Sequence, residues 1–136
     1  MARLVIDASP AAAWCFPGEQ TGYTNSLLRM VAETIDPVAP ALWAYEIRNA
    51  ILMGVKRGRI TKDAARKLLV FLNDLDVQLI DPPSHDVVFG LADRHGLTVY
   101  DAAYLDLALR ENLPLASLDQ ALLQAAGNCG VAVFEV

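Results

Sequence analysis

Five short apolar, β-prone runs are spread along the chain: RLVI at 3–6, VAP at 38–40, VQLI at 77–80, PLAS at 114–117 and VAVF at 131–134. Nowhere between them does the sequence place a hairpin turn such as Asn-Gly. Antiparallel neighbours can be joined by about two residues, whereas parallel neighbours need a crossover of roughly a dozen or more. Every gap here is long enough for a helix. The expected class is therefore α/β: a three-layer α/β/α sandwich around a central, mainly parallel sheet of four to five short strands, covered on both faces.

The helical stretches carry their own punctuation. Ser9 followed by Pro10 reads as a helix N-cap with a first-turn proline, and the helix through AAAWCF ends at Pro17-Gly18. A second helix is expected from about Gln20 to Ile35, with Tyr23, Leu27, Met30 and Val31 at helical spacing, stopping before Asp36-Pro37. Further helices are expected at 41–57 (closed by Gly58), Thr61–Leu75 (with Thr61 as cap), His85–His95 (up to Gly96), Thr98–Glu111, and Asp119–Ala126 (ended by Gly127). No internal repeat or composition break divides the chain, so residues 1–136 are expected to form a single domain.

With 54% hydrophobic and 20% charged residues, the chain is far too apolar to be disordered. Cys15 and Cys129 have no CxxC or CxxH neighbour, which argues against zinc and for small core residues in a reducing compartment. The N-terminal LVIDASPAAAWCF has the outline of a secretory signal, but Asp7 interrupts it. No window reaches the ~18 uninterrupted apolar residues of a membrane span. A cytoplasmic protein is expected.

In open α/β sheets, ligands bind outside the carboxyl ends of the strands. Asp7 follows LVI and Asp119 follows PLAS. Taken singly, Asp7 also fits a turn former, and Asp119 a helix cap together with Ser117. Glu46 lies on an apolar helical stripe with Leu42, Ala50 and Met53, where a lone carboxylate costs several kcal/mol unless it is paired, bound to a cation or snorkelling at the stripe's edge. Arg48 points away from that stripe, and Asn49 is the nearest polar companion. Asp101 shares a face with Tyr104, Leu105 and Ala108, and it also fits a capping arrangement with Thr98. Asp106, five residues on, projects from another side and is expected to face solvent. Four converging carboxylates without a cationic partner would repel one another. A divalent ion such as Mg²⁺ or Mn²⁺ removes that conflict, and it can also activate water against a phosphodiester.

The ordered set VIDAS, YEIRNAI, YDAAYLDLA and LASLD resembles the PIN domain, and in its stand-alone form the VapC-type ribonuclease toxins of toxin–antitoxin modules. The resemblance spans essentially the whole chain. It implies that Asp7, Glu46, Asp101 and Asp119 hold Mg²⁺ or Mn²⁺ and drive endonucleolytic cleavage of RNA, with Ser9, Asn49 and Ser117 in supporting positions. It also implies a cognate antitoxin seated on an apolar groove, and a homodimer. The surplus of Trp14, Phe16, Leu27, Leu28 and Met30 on two early helices suits such a groove, although most of it is expected in the core. A PIN fold used as a catalytically silent binding module is the alternative. Other Asp-dependent α/β families fit poorly: a phosphoaspartyl enzyme of the haloacid dehalogenase type needs an acid where Ser9 stands, and a DxSxS adhesion site needs a serine where Ala11 stands.

A formal charge of −5 argues against a polyanion partner at first sight, yet neutralising the four acids leaves −1. Six of the eleven basic residues, Lys56, Arg57, Arg59, Lys62, Arg66 and Lys67, fall within twelve positions around one helix turn. Lys56, Arg57, Arg59 and Lys62, with Arg48 nearby, are candidate contacts to an RNA backbone, the alternative being a solvated turn.

Overall fold

The computed structural model describes residues 2–135. Among them the chain forms β1 (Ala2–Ile6), α1 (Ala8–Cys15), α2 (Gly22–Glu33), β2 (Ile35–Ala39), α3 (Leu42–Lys56), α4 (Lys62–Asp74), β3 (Gln78–Leu79), α5 (His85–His95), α6 (Val99–Glu111), β4 (Leu115–Ala116) and α7 (Gln120–Asn128). The strands make one parallel sheet in the order β3-β2-β1-β4, as the missing hairpin signals require. Leu4, Val5 and Ile6 of β1 are all buried, so both faces of the central strand are covered. One group of helices, α1 to α4, packs through α2 against β2 and through α1 against α3. The other packs through α6 against β1 and β4, with α5 and α7 resting on α6. This is the expected three-layer α/β/α architecture.

Strand order reverses at β1. The chain steps outward from β1 to β2 to β3, then returns to place β4 on the other side of β1. A crevice opens at the carboxyl ends of strands where such a reversal occurs. Here it lies between the ends of β1 and β4, where Ile6 pairs with Ala116 and the Asp7 N–H donates to the Ala116 carbonyl at 3.1 Å.

Several boundaries differ from expectation for identifiable reasons. Asp7, not Ser9, caps α1, its carboxylate accepting from the Ser9 N–H at 2.9 Å. Thr21 caps α2 through a reciprocal box with Thr24, which shortens that helix at its start. β2 begins at Ile35 and runs through Pro37, which pairs in register with Leu4. A proline is tolerated there because β3 pairs only with Val38 and Ala39, leaving Pro37 without a partner on the β3 side. Gly127 lies inside α7, and the chain turns instead at Gly130, where φ is +75°. The VAVF run contributes a single parallel bridge, Val133 with Leu115, because the two-residue β4 offers no longer partner.

Cys15 is buried, and desolvation pushes its thiol up to about 11, in keeping with a core residue. Cys129 is only half-buried, with Sγ 3.3 Å from His95 Nε2. Trp14, Phe16 and Leu27 are core residues, while Leu28 and Met30 are partly exposed.

Candidate active site

Two serine hydroxyls tie the end of β1 to the end of β4. Ser9 Oγ donates to Asp7 Oδ2 at 3.0 Å and accepts from the Leu118 N–H at 2.9 Å. Ser117 Oγ donates to the same Asp7 oxygen and accepts from the Asp119 N–H at 2.9 Å. With the Ser9 N–H on Oδ1, Asp7 uses three of its roughly four lone-pair positions on the protein. It is buried and rigidly aimed. Asp119 caps α7 by accepting from the Leu122 N–H at 3.1 Å. Asp101 sits in the first turn of α6, its N–H donating to Thr98 Oγ1 at 3.0 Å. The capping roles open to Asp101 and Asp119 from sequence are thus real, and Asp7 takes the cap expected of Ser9. They also place three acids at helix N-termini, where the backbone dipole favours negative charge.

Glu46 comes from the second turn of α3 and is half-buried. Its Oε1 accepts from the Tyr104 hydroxyl at 2.5 Å, a contact from α6 that fixes the carboxylate's direction. Burial pushes the Glu46 carboxyl above its ordinary range. Asp7 and Asp101 push it further, against the lowering effect of Tyr104. Asp101 is raised by burial first, then by Asp119 and Asp7, with Thr98 opposing. Tyr104 itself is driven far up by burial and by Glu46, so its hydroxyl keeps its proton and remains a donor. Glu46 and Asp101 therefore both feel the charge of neighbouring acids, Asp7 among them.

The ion pairs among the described residues join Arg59 to Glu19, Arg66 to Asp63 and Arg110 to Asp106, and none reaches these four acids. Nor, among the described residues, are three His, Cys, Asp or Glu side chains gathered tightly enough to clamp an ion as they stand. An ion such as Mg²⁺ keeps several waters and needs only one or two direct carboxylates. An all-oxygen, uncompensated donor set fits a hard divalent cation and no softer metal.

Tyr104 is the residue that sequence reasoning missed. Its place one turn after Asp101 was visible, but its contact with a glutamate 58 positions away was not. Asp106 is a correction: it is 3% exposed and bonded to Arg110 Nε at 2.8 Å, not solvent-facing. Helix α6 is covered by the sheet on one side and α5 on another, so few of its directions lead to solvent.

The basic turn splits between two grooves. Arg57 and Arg59, with Glu46 and Asn49, line one of about 440 Å³ that adjoins the acids. Lys62, Arg66 and Arg48 line another of about 360 Å³ between α3 and α4. Arg48 is occupied there, donating to the Ala44 carbonyl and to Asn73 Oδ1, each at 3.0 Å. Lys56 stands exposed at the end of α3.

A parallel α/β fold with Asp7 and Asp119 following the strand ends at the order reversal defines a class, and the sequence match agrees: the PIN domain matches residues 4–128, and the chain belongs to that family. Among curated proteins it is similar to Ribonuclease VapC3 of Pyrobaculum aerophilum, at 34% identity over 90% of this chain and 93% of that one. Among solved structures it is similar to PAE2754 from Pyrobaculum aerophilum, with TM-score 0.71 and 28% identity over 91% of this chain and 86% of the other. It also shares its fold with FitAcB from Neisseria gonorrhoeae, with TM-score 0.67 and 18% identity over 97% and 96% of the two chains.

Proposed function

We propose that this protein is a divalent-metal-dependent endoribonuclease and the toxin of a toxin–antitoxin pair. The observation that carries the reading is that Asp7 and Asp119 follow the adjoining ends of β1 and β4 while the Glu46 and Asp101 carboxyls are raised by burial and by neighbouring acids, Asp7 among them, with no cation paired to any of the four among the described residues. The likeness to a protein named a ribonuclease supports RNA as substrate. Asp7, Glu46, Asp101 and Asp119 would hold Mg²⁺ or Mn²⁺, which when bound supplies an activated water and neutralises charge building on the phosphodiester. Ser9 and Ser117 keep Asp7 aimed, and Tyr104 does the same for Glu46. Asn49 lies beside Glu46 at the rim of the adjoining groove.

An antitoxin partner, a homodimer and a cytoplasmic setting belong to the same proposal. Among the described residues no helix is long and apolar enough to cross a membrane. The alternative, a silent binding module of the same fold, would have no need to keep four uncompensated acids together.

The test is cleavage of a structured RNA by purified protein. Mg²⁺ and Mn²⁺ should support it and Ca²⁺ poorly, since looser coordination serves in-line attack badly. Chelator and the Asp7→Asn variant should both abolish cleavage. Undiminished activity in chelator sinks the metal mechanism, and no cleavage with either ion favours the silent module.

A further inference from the structure

The groove beside Glu46 contains a pair of opposite charges that the catalytic reading leaves unused. Its floor is Phe16 and the surface of α3 around Gly54, and Glu19, Arg57 and Arg59 stand along its rim. The Arg59 guanidinium lies 4.6 Å above the centre of the Phe16 ring, and its Nη2 is 2.5 Å from Glu19 Oε2. Both partners stand on anchored backbone. The Arg59 N–H donates to the Gly54 carbonyl at 2.9 Å. The loop carrying Glu19 is held by Gln20, whose amide donates to the Ala13 and Phe16 carbonyls, each at 2.7 Å. Gly54 permits this arrangement, because a Cβ there would stand 2.4 Å from a Phe16 ring carbon.

Arg59 is thus pre-set in one direction by a ring beneath it, which lowers the entropy lost when it binds a further group. Its present partner is replaceable. The two side chains are 49% and 41% exposed, and ion pairs in that setting contribute little net stability. A phosphate offers the same fork-shaped recognition as a carboxylate and carries its own charge. The groove's volume of about 440 Å³ also falls within the range of sites that enclose small ligands.

We propose that this groove holds the RNA strand on one side of the scissile phosphate, with Arg59 on Phe16 as a backbone-phosphate clamp. Glu19 is the competitor that occupies Arg59 until RNA displaces it. The inference rests on the ribonuclease reading and adds a gated subsite to it. Glu19 and Arg59 act on the position of the strand, Arg59 by holding it and Glu19 by competing for Arg59.

The experiment is a double-mutant cycle on binding of a short single-stranded RNA, with Ca²⁺ in place of Mg²⁺ so that the strand stays intact. Glu19→Gln should tighten binding by up to about fivefold, the most that an exposed ion pair accounts for. Arg59→Ala should weaken it by about tenfold and lower the slope of log K against log salt by roughly 0.7. In the Arg59→Ala background, Glu19→Gln should change nothing. Arg59→Lys, which keeps the charge but not the fork, should recover only part of the loss. Unchanged affinity in Glu19→Gln overturns the proposal, as does a gain of equal size with and without Arg59, which marks general charge removal. Cleavage by wild-type protein in Mg²⁺ or Mn²⁺ is measured alongside. Cleavage without coupling removes the gated subsite and leaves the ribonuclease reading standing. Coupling without cleavage under either ion removes the ribonuclease reading, and with it any role for the groove in presenting a bond to be cut.

Discussion

Asp7 and Asp101 bring the same charge to the crevice on different footings. Asp101 is held above its ordinary range by burial and by two neighbouring acids, so Asp101→Asn removes repulsion while its backbone N–H keeps Thr98 as partner. Its melting temperature should hold or rise as cleavage is lost. Asp7 accepts from one N–H and two hydroxyls, and an amide there sets a donor against Ser9 and Ser117. Asp7→Asn should therefore lose ~1–3 kcal/mol as well as activity, the scale of a buried acceptor left mismatched. Denaturant midpoints compare the two, and equal stability in both variants removes the serine tie as a support. Tyr104→Phe tests the direction imposed on Glu46. Loss of a residue that orients a ligand costs about 10–100-fold in metal affinity or activity, so a Mn²⁺ titration should weaken by that factor with the melting curve nearly unmoved. An unshifted titration makes Tyr104 a core residue only. Residues of this kind are hard to read from a sequence, because a hydroxyl that aims a carboxylate across 58 positions leaves no local periodicity. Asp106 failed to be legible for the opposite reason. Helical geometry gives its angle from Asp101, but not that α5 and Arg110 cover that side.

Elements were legible where local chemistry settles them. Thr61 and Thr98 cap α4 and α6, and Gly96 takes the left-handed turn after α5 at φ +64°. Where a residue has two uses, tertiary context decides. Pro37 reads as a helix stop and is also that, but it continues into β2 because a neighbouring strand is short. The aspartate at the end of β1 takes the cap that Ser9 and Pro10 suggested, freeing Ser9 to reach Leu118. Helix α3 carries a further instance at Gly54, which sits mid-helix with the Phe16 ring against it. Alanine would gain up to about 1 kcal/mol in helix propensity. The displaced ring costs about 1–3 kcal/mol, as overpacked sites do. Gly54→Ala should therefore come out up to ~2 kcal/mol less stable, measured by urea denaturation, and should loosen Arg59 by moving the ring it stands on. A more stable variant would mean that the ring swings aside freely.

At the scale of the molecule, the sheet's reversal at β1 makes folding and site assembly one event. It brings Asp7 and Asp119, 112 positions apart in the chain, to neighbouring strand ends, while α3 and α6 lean Glu46 and Asp101 towards the same crevice. The fold therefore carries an electrostatic load that the unfolded chain lacks, and its pH dependence has a definite sign. Because the folded protein holds the Glu46 and Asp101 protons to higher pH than the unfolded chain does, it binds more protons between the ordinary and the raised values. Stability must fall as pH rises through that window and level off above it. In chelator, the melting temperature should decline from the ordinary carboxylate range towards neutrality. Asp101→Asn should flatten that decline, which separates it from the general repulsion of an acidic protein. Mg²⁺ should reverse it, since an ion that binds only the folded carboxylates stabilises by mass action, about 2.7 kcal/mol at a hundredfold excess over Kd. The gain should be small where the acids are protonated and full where they are ionised, because ion and proton compete for the same oxygens. A Mg²⁺ effect of equal size at both ends of the window would place the bound ion elsewhere on the surface. A flat profile in chelator would mean that the four carboxylates stand too far apart to burden the fold.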